Sequence, residues 1–173
     1  MKLKNKRIAL FVEADYQDME VHYPRYRLIE EGAEVVVIGT GSAEKYIGKN
    51  GYPVTVDMNA DLVEPTTFDG LIIPGGWAPD KMRLSKPMVE FVQAMTEHSK
   101  VIGCICHGGW LLASAGVIKG VKLTSYIAIR DDLVNAGAVW VDQEVVVTDK
   151  LITSRKPDDL PAFMREVIRA LAG

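Results

Sequence analysis

Short apolar runs alternate along this chain with longer stretches whose apolar residues recur at helical spacing. That alternation predicts a parallel sheet covered by helices. Ile8 to Val12 reads as a first strand buried on both faces. Glu20 to Glu31 follows as a helix with Val21, Leu28 and Ile29 facing inward; it tolerates Pro24 only in its first turn and ends at Gly32. Val35 to Ile38 makes a second strand, and Tyr46-Ile47 with Val54-Thr55-Val56 make a small hairpin around Gly48-Lys49-Asn50-Gly51. Phe68 to Ile73 is a third buried strand, stopped by Pro74-Gly75-Gly76. Pro87 to His98 shows Met88, Phe91, Val92 and Met95 on one helical face, with His98 a surface residue near the end. A helix ending near Gly116 and a shorter one over Asp131 to Ala136 come next. Val145 to Val147 and Leu151 to Thr153 are strands, and Asp158 or Asp159 caps a last helix with Pro161 in its first turn.

No linker, repeat or low-complexity stretch interrupts this order, so residues 1–173 are expected to form one domain. The net charge of -3 argues against broad binding to nucleic acid or anionic membranes. The basic start, Met1 to Arg7, leads into a strand-like run rather than a signal-peptide core, and no stretch suits a bilayer span. With only two cysteines, at least one of them better explained as a free thiol, the expected location is the cytoplasm.

The chemistry concentrates where the apolar run Val101-Ile102-Gly103-Cys104-Ile105 meets Cys106-His107-Gly108-Gly109. A thiol at a tight strand-to-helix turn is exposed, faces a helix N-terminus that favours thiolate, and here has an imidazole as its neighbour. Cys106 is therefore the candidate nucleophile and is expected to be acidic, whereas Cys104, two residues back in the strand, is expected to be an inert core thiol. Alternate strand residues point to opposite faces, which argues against a disulfide between them, and no second Cys/His cluster completes a zinc site. In a parallel sheet the reactive groups gather at the carboxyl ends of strands. The loop from Glu13 to Glu20, the Gly75-Gly76 turn and the Cys106 elbow all meet that condition. Gly75 and Gly76 offer backbone N–H groups to a developing oxyanion, beside that of His107. Glu13, Asp15 and Asp18 read as solvated loop charges, and Trp77, Trp110 and Trp140 as packing or subunit contacts.

Four ordered motifs resemble the PfpI-type intracellular cysteine peptidases of the ThiJ/PfpI superfamily: Cys106-His107-Gly108, Pro74 to Asp80, Thr124 to Asp132 and Thr153 to Leu160. The resemblance spans nearly the whole chain. It implies a flavodoxin-like three-layer α/β sandwich, mostly parallel, with helices on both faces, and an elbow shared with class I glutamine amidotransferases. It also implies peptide hydrolysis, or removal of early glyoxal adducts or hydration of glyoxals in related members, generally without a cofactor. Carried over residue by residue, Cys106 matches the nucleophile, His107 its adjacent base, Glu20 the acid beside the thiol, and Tyr126 a tyrosine near the nucleophile. A thiolate beside Glu20 works best if that carboxyl is protonated and donates to sulfur. Asp80 falls where the peptidase branch has a glutamate that orients the histidine across a subunit interface. The resemblance thus implies a homo-oligomer, dimer to hexamer, whose sites are completed by a neighbour. Two departures stand out: Asp80 is one methylene shorter, and Gly109 replaces a proline.

These readings make a cofactor-independent cysteine hydrolase acting on short peptides or glyoxal-derived adducts the expected function. The alternatives are a glyoxalase or deglycase acting on methylglyoxal, and a non-catalytic redox-sensing stress chaperone whose oxidisable thiol needs Cys106 and Glu20 but not His107.

Overall fold

A computed structural model describes residues 1–173. In chain order the elements are β1 (Arg7–Phe11), α1 (Asp18–Glu30), β2 (Glu34–Gly39), the hairpin β3 (Lys45–Ile47) and β4 (Pro53–Thr55), β5 (Met58–Asn59), β6 (Gly70–Ile73), α2 (Ala78–Met82), α3 (Lys86–Glu97), β7 (Val101–Ile105), α4 (Gly109–Ala115), β8 (Lys122–Leu123), α5 (Arg130–Asn135), β9 (Val139–Trp140), β10 (Val145–Thr148), β11 (Leu151–Ser154) and α6 (Leu160–Ala172). Seven strands form one sheet in the order β10-β11-β7-β6-β1-β2-β5. All its pairings are parallel except that of β10 with β11. Helices α1 and α6 pack together on one face, and α2 to α5 pack among themselves on the other. The expected α/β sandwich is thus the fold observed.

Strands β1, β6 and β7 sit at the centre because their residues are apolar without alternation. Ile8 to Phe11, Leu71 to Ile73 and Cys104-Ile105 are all buried. Their registers run level, Leu10 beside Ile72 and Ile72 beside Gly103, so the three carboxyl ends finish together. That shared edge positions the site.

Helix α1 differs from expectation. It begins at Asp18, where the Gln17 side chain accepts from the Met19 and Glu20 N–H groups, so Pro24 lies inside the helix rather than in its first turn. Proline has no N–H, so the Glu20 carbonyl loses its i+4 helical partner. Ile29, expected to face inward, is exposed at 45%, while Val21, Pro24 and Leu28 form the buried stripe. The third strand begins at Gly70, although Phe68 is fully buried just before it. Asp159 occupies the N-cap of α6 without capping it; its carboxylate instead takes the Arg155 backbone N–H and guanidinium. No helix is long and apolar enough to cross a membrane.

Candidate active site

Two of the three segments expected to converge are joined by backbone pairing, and the Cys106 elbow packs against them at Gly75. Tyr16 forms a bridge with Gly76, the Gln17 N–H donates to the Gly75 carbonyl at 3.2 Å, and the Trp77 N–H donates to Asp15 at 2.9 Å. Between them lies Cys106 with φ of +61°, a left-handed backbone that a side-chain-bearing residue adopts at a cost of about 1–3 kcal/mol. The strain turns the thiol out of the line of β7 and into the gap between the loops.

Four groups surround this sulfur. The His107 Nδ1 is 3.3 Å from Sγ. The backbone N–H groups of Gly76 and His107 point to the thiol and favour its charged form, and the Glu20 carboxyl faces it from α1. Gly75 makes this close approach possible. A Cβ there would come within 2.6 Å of the Cys106 Cβ and 2.7 Å of Glu20 Oε2. The Gly75 N–H donates to Glu20 Oε2 at 2.7 Å. That is a correction to the expected oxyanion donors: Gly75 holds the carboxyl, leaving Gly76 and His107 as the pair at sulfur.

Electrostatics tie the acid and the thiol together. Burial raises Glu20 to about 7, opposed by the Gly75 N–H, the thiol and the charge of Lys49. The Cys106 thiol is pushed up to about 12, first by burial and then by the charge of Glu20. The expected acidic thiol is therefore not a property of Cys106 by itself. The repulsion from Glu20 vanishes whenever Glu20 keeps its proton, so the two groups titrate as one unit. One proton leaves this unit near neutrality, and the other only under strongly alkaline conditions. Glu20 Oε1 is buried with no hydrogen-bond partner, which leaves it free for that shared proton. Cys104, fully enclosed in β7, has its thiol pushed well up by burial, as an inert core residue should.

His107 is half-buried, and burial followed by the charge of Lys49 lowers its pKa, so it is neutral at neutral pH. Three aromatic rings enclose it: Tyr126 stacked at 4.9 Å, Trp110 edge-on at 5.2 Å and Trp77 at 5.4 Å. Tyr126 also donates its N–H to the Cys106 carbonyl at 3.2 Å, fastening the elbow to the loop before α5. Asp80 sits on α2 with an exposed side chain that makes no ion pair or hydrogen bond within the chain, so it is not joined to His107 of the same subunit.

Other residues take roles the sequence reading did not give them. Trp77 and Trp110, expected to serve packing or subunit contacts, wall the histidine; their places just after Gly76 and three residues after His107 were the available signal. Glu13 and Asp18 are buried rather than solvated. Glu13 accepts from the hydroxyls of Thr40 and Ser42, and Asp18 accepts from the Asn50 and Tyr52 N–H groups, each at 2.9 Å. Nothing in their spacing distinguishes them from loop charges. Trp140 donates to the Ser125 hydroxyl, and the Thr124 N–H donates to Thr153, so two of the four motifs buttress the site from behind.

A buried thiol at a strained elbow, two N–H donors and a protonatable carboxyl are the groups that nucleophilic attack on a carbonyl carbon requires. The chain belongs to the DJ-1/PfpI family, whose sequence signature matches residues 6–170. It is 48% identical over 165 residues to Deglycase PfpI of Pyrococcus furiosus, covering 94% of this chain and 98% of that protein. It is 43% identical over 169 residues to Protein/nucleic acid deglycase 2 of Escherichia coli, covering 96% of this chain and 98% of that one. A crystal structure of a two-domain protein from Anabaena variabilis, containing DJ-1/ThiJ/PfpI-like and ferritin-like domains, matches with a TM-score of 0.95 at 39% identity. That match covers 96% of this chain and 48% of the other, so this chain spans about half of it.

Proposed function

We propose that this chain is a cofactor-independent cysteine hydrolase that removes early glyoxal adducts, with Cys106 as nucleophile. The carrying observation is the Cys106 sulfur between Glu20, His107 Nδ1 and the N–H groups of Gly76 and His107. Deglycase names among the relatives support the substrate class. So does the burial of Cys106, which is 7% exposed and suits a slender aldehyde-derived carbonyl better than a folded polypeptide.

In this reading the proton of the pair rests on Glu20 and the sulfur attacks as thiolate. A carbon–sulfur bond forms at the aldehyde-derived carbon as its carbon–nitrogen bond breaks and the amine leaves with a proton from His107. A proton then moves between the two neighbouring carbons through an enediolate whose charge the N–H groups of Gly76 and His107 receive, and water cleaves the resulting lactoyl thioester to free the sulfur. His107 supplies and recovers protons through a neutral imidazole. Overall, a methylglyoxal aminocarbinol takes up one water and yields the free amine and lactate; one carbon is oxidised as its neighbour is reduced, so no external electron carrier enters. Asp80 is proposed to orient His107 of a neighbouring subunit, consistent with its exposed and unpaired carboxylate.

Two measurements test this. Wild-type protein should release amine from a methylglyoxal adduct and turn over a short peptide amide far more slowly; equal or reversed rates would return the peptidase reading to first place. Mixing Cys106→Ala with Asp80→Ala protein under proven subunit exchange should raise activity above the diluted parents. A mixture that never exceeds that value removes the shared site.

A further inference from the structure

The turn Gly48-Lys49-Asn50-Gly51 between β3 and β4 is far more firmly fixed than a hairpin tip requires. Asp18, buried in the first turn of α1, accepts from the N–H groups of Asn50 and Tyr52. Gly48 lies so close that a Cβ there would meet Asp18 Oδ1 at 2.5 Å. The Lys49 N–H donates to the Tyr16 carbonyl at 2.9 Å, and the Tyr16 hydroxyl donates to the Tyr52 carbonyl. Tyr16 is also the residue bridged to Gly76, which places an N–H against the Cys106 sulfur. A rigid path of backbone bonds therefore runs from the oxyanion donor to Lys49.

What this scaffold presents is a cation without a partner. Lys49 is exposed and makes no ion pair. The acidic residues around it are engaged elsewhere: Asp15 pairs with Lys81 at 2.8 Å, and Asp18 serves the turn's own backbone. The Lys49 backbone is tied to Tyr16, the residue bridged to Gly76, and its positive charge lowers the pKa of both Glu20 and His107. We propose that Lys49, carried beside the Cys106 site on the Asp18-anchored turn, recognises an anionic group, such as a carboxylate, borne by the substrate close to the carbonyl that Cys106 attacks. The preferred substrates would then be adducts whose carrier keeps a negative charge beside the modified atom. This rests on the reading of Cys106 as the nucleophile of a carbonyl substrate, and Lys49 acts in it as a specificity-determining residue.

The test separates the two ideas by a readout that needs no turnover. Cys106 is alkylated with iodoacetate and with iodoacetamide, which carry opposite ends of a charged and neutral pair. The ratio of the two rates cancels the fraction of thiolate. A fully solvated unit charge pair about 4 Å apart changes a rate about fivefold, so Lys49→Gln should lower the iodoacetate-to-iodoacetamide ratio by about that factor. Lys49→Glu should lower it further, Lys49→Arg should keep it, and 0.5 M salt should shrink the wild-type advantage. An unchanged ratio in Lys49→Gln and Lys49→Glu overturns the proposal, whatever the enzyme's turnover. In parallel, methylglyoxal hemithioacetals of N-acetylcysteine and of its neutral amide differ by one carboxylate. The wild type should favour the acid through KM, and Lys49→Gln should erase that preference. A preference that survives in Lys49→Gln also overturns the proposal. Failure of wild-type protein to turn over either compound would count against the proposed function alone, with the alkylation ratio still deciding on Lys49.

Discussion

Asp18 and Glu20 leave the same first turn of α1, and both are buried, yet they serve opposite ends of the site. Asp18 meets two backbone N–H groups and becomes a clasp for the β3–β4 turn. Glu20 meets one N–H and a thiol, keeps an oxygen without a partner, and is raised to about 7. Burial alone therefore does not decide what a carboxyl does. The number of fixed donors around it does: a fully bonded carboxylate organises the backbone, whereas an under-bonded one holds a proton that it can share.

The most severe test of the contrast removes the thiol. Cys106→Ala should lower kcat/KM by at least about a thousandfold, because the carboxyl then has nothing to activate. Retained turnover would reduce Glu20 to a buried acid without catalytic purpose. Next in size is the effect of Glu20 on the sulfur. Glu20→Ala takes away the proton that the proposed mechanism places beside the thiolate, so on that reading iodoacetamide labelling at pH 7 should fall, even though the Glu20 charge that raises the thiol is removed with it. Glu20→Gln, which keeps a donor, should fall between the two. Faster labelling in Glu20→Ala would mean that the carboxylate repels the thiolate more than its proton helps it.

A stability measurement sharpens the same point with a definite sign. Glu20 holds its proton in the fold up to about pH 7, but loses it near 4.5 in the unfolded chain. The folded state therefore binds more protons across that window, and stability falls as pH rises through it. Glu20→Gln abolishes this dependence. Relative to wild type it should gain stability from pH 4 to pH 8 by about 3 kcal/mol, visible as several degrees in Tm. A flat difference would show that burial does not retain the proton. The smallest expected effect is on the other carboxylate. Asp18→Ala orphans two N–H groups and should cost about 2 kcal/mol, concentrated in faster amide exchange at Asn50 and Tyr52. Global loss of the fold would make Asp18 a core residue rather than a clasp.

The same pair shows where sequence reasoning succeeds and stops. The central strands were legible because doubly buried strands are apolar without alternation, and the elbow because a cysteine, a histidine and two glycines crowd its junction. Glu20 was found through resemblance, not spacing. Asp18 was misread because its burial comes from a turn folding back onto it from more than thirty residues away. Pro24 was misplaced for a related reason: the helix start depends on the Gln17 side chain, which no period in the apolar residues reveals. The thiol's acidity was misjudged because burial and a neighbouring acid outweigh two N–H donors, a balance of distances that the order of residues does not contain.

The contact between Glu20 and the Gly75 N–H joins residues 55 apart in sequence, one in the first turn of α1 after β1 and the other in the loop after β6, and Cys106 arrives from the turn after β7. In the sheet these strands are adjacent, with β6 in the middle. A refolding chain therefore cannot assemble the acid, the oxyanion donors and the nucleophile in stages that each work partially. The chemistry appears only when β6 has closed between its two neighbours, so the return of activity marks the completion of the central sheet rather than the formation of any helix.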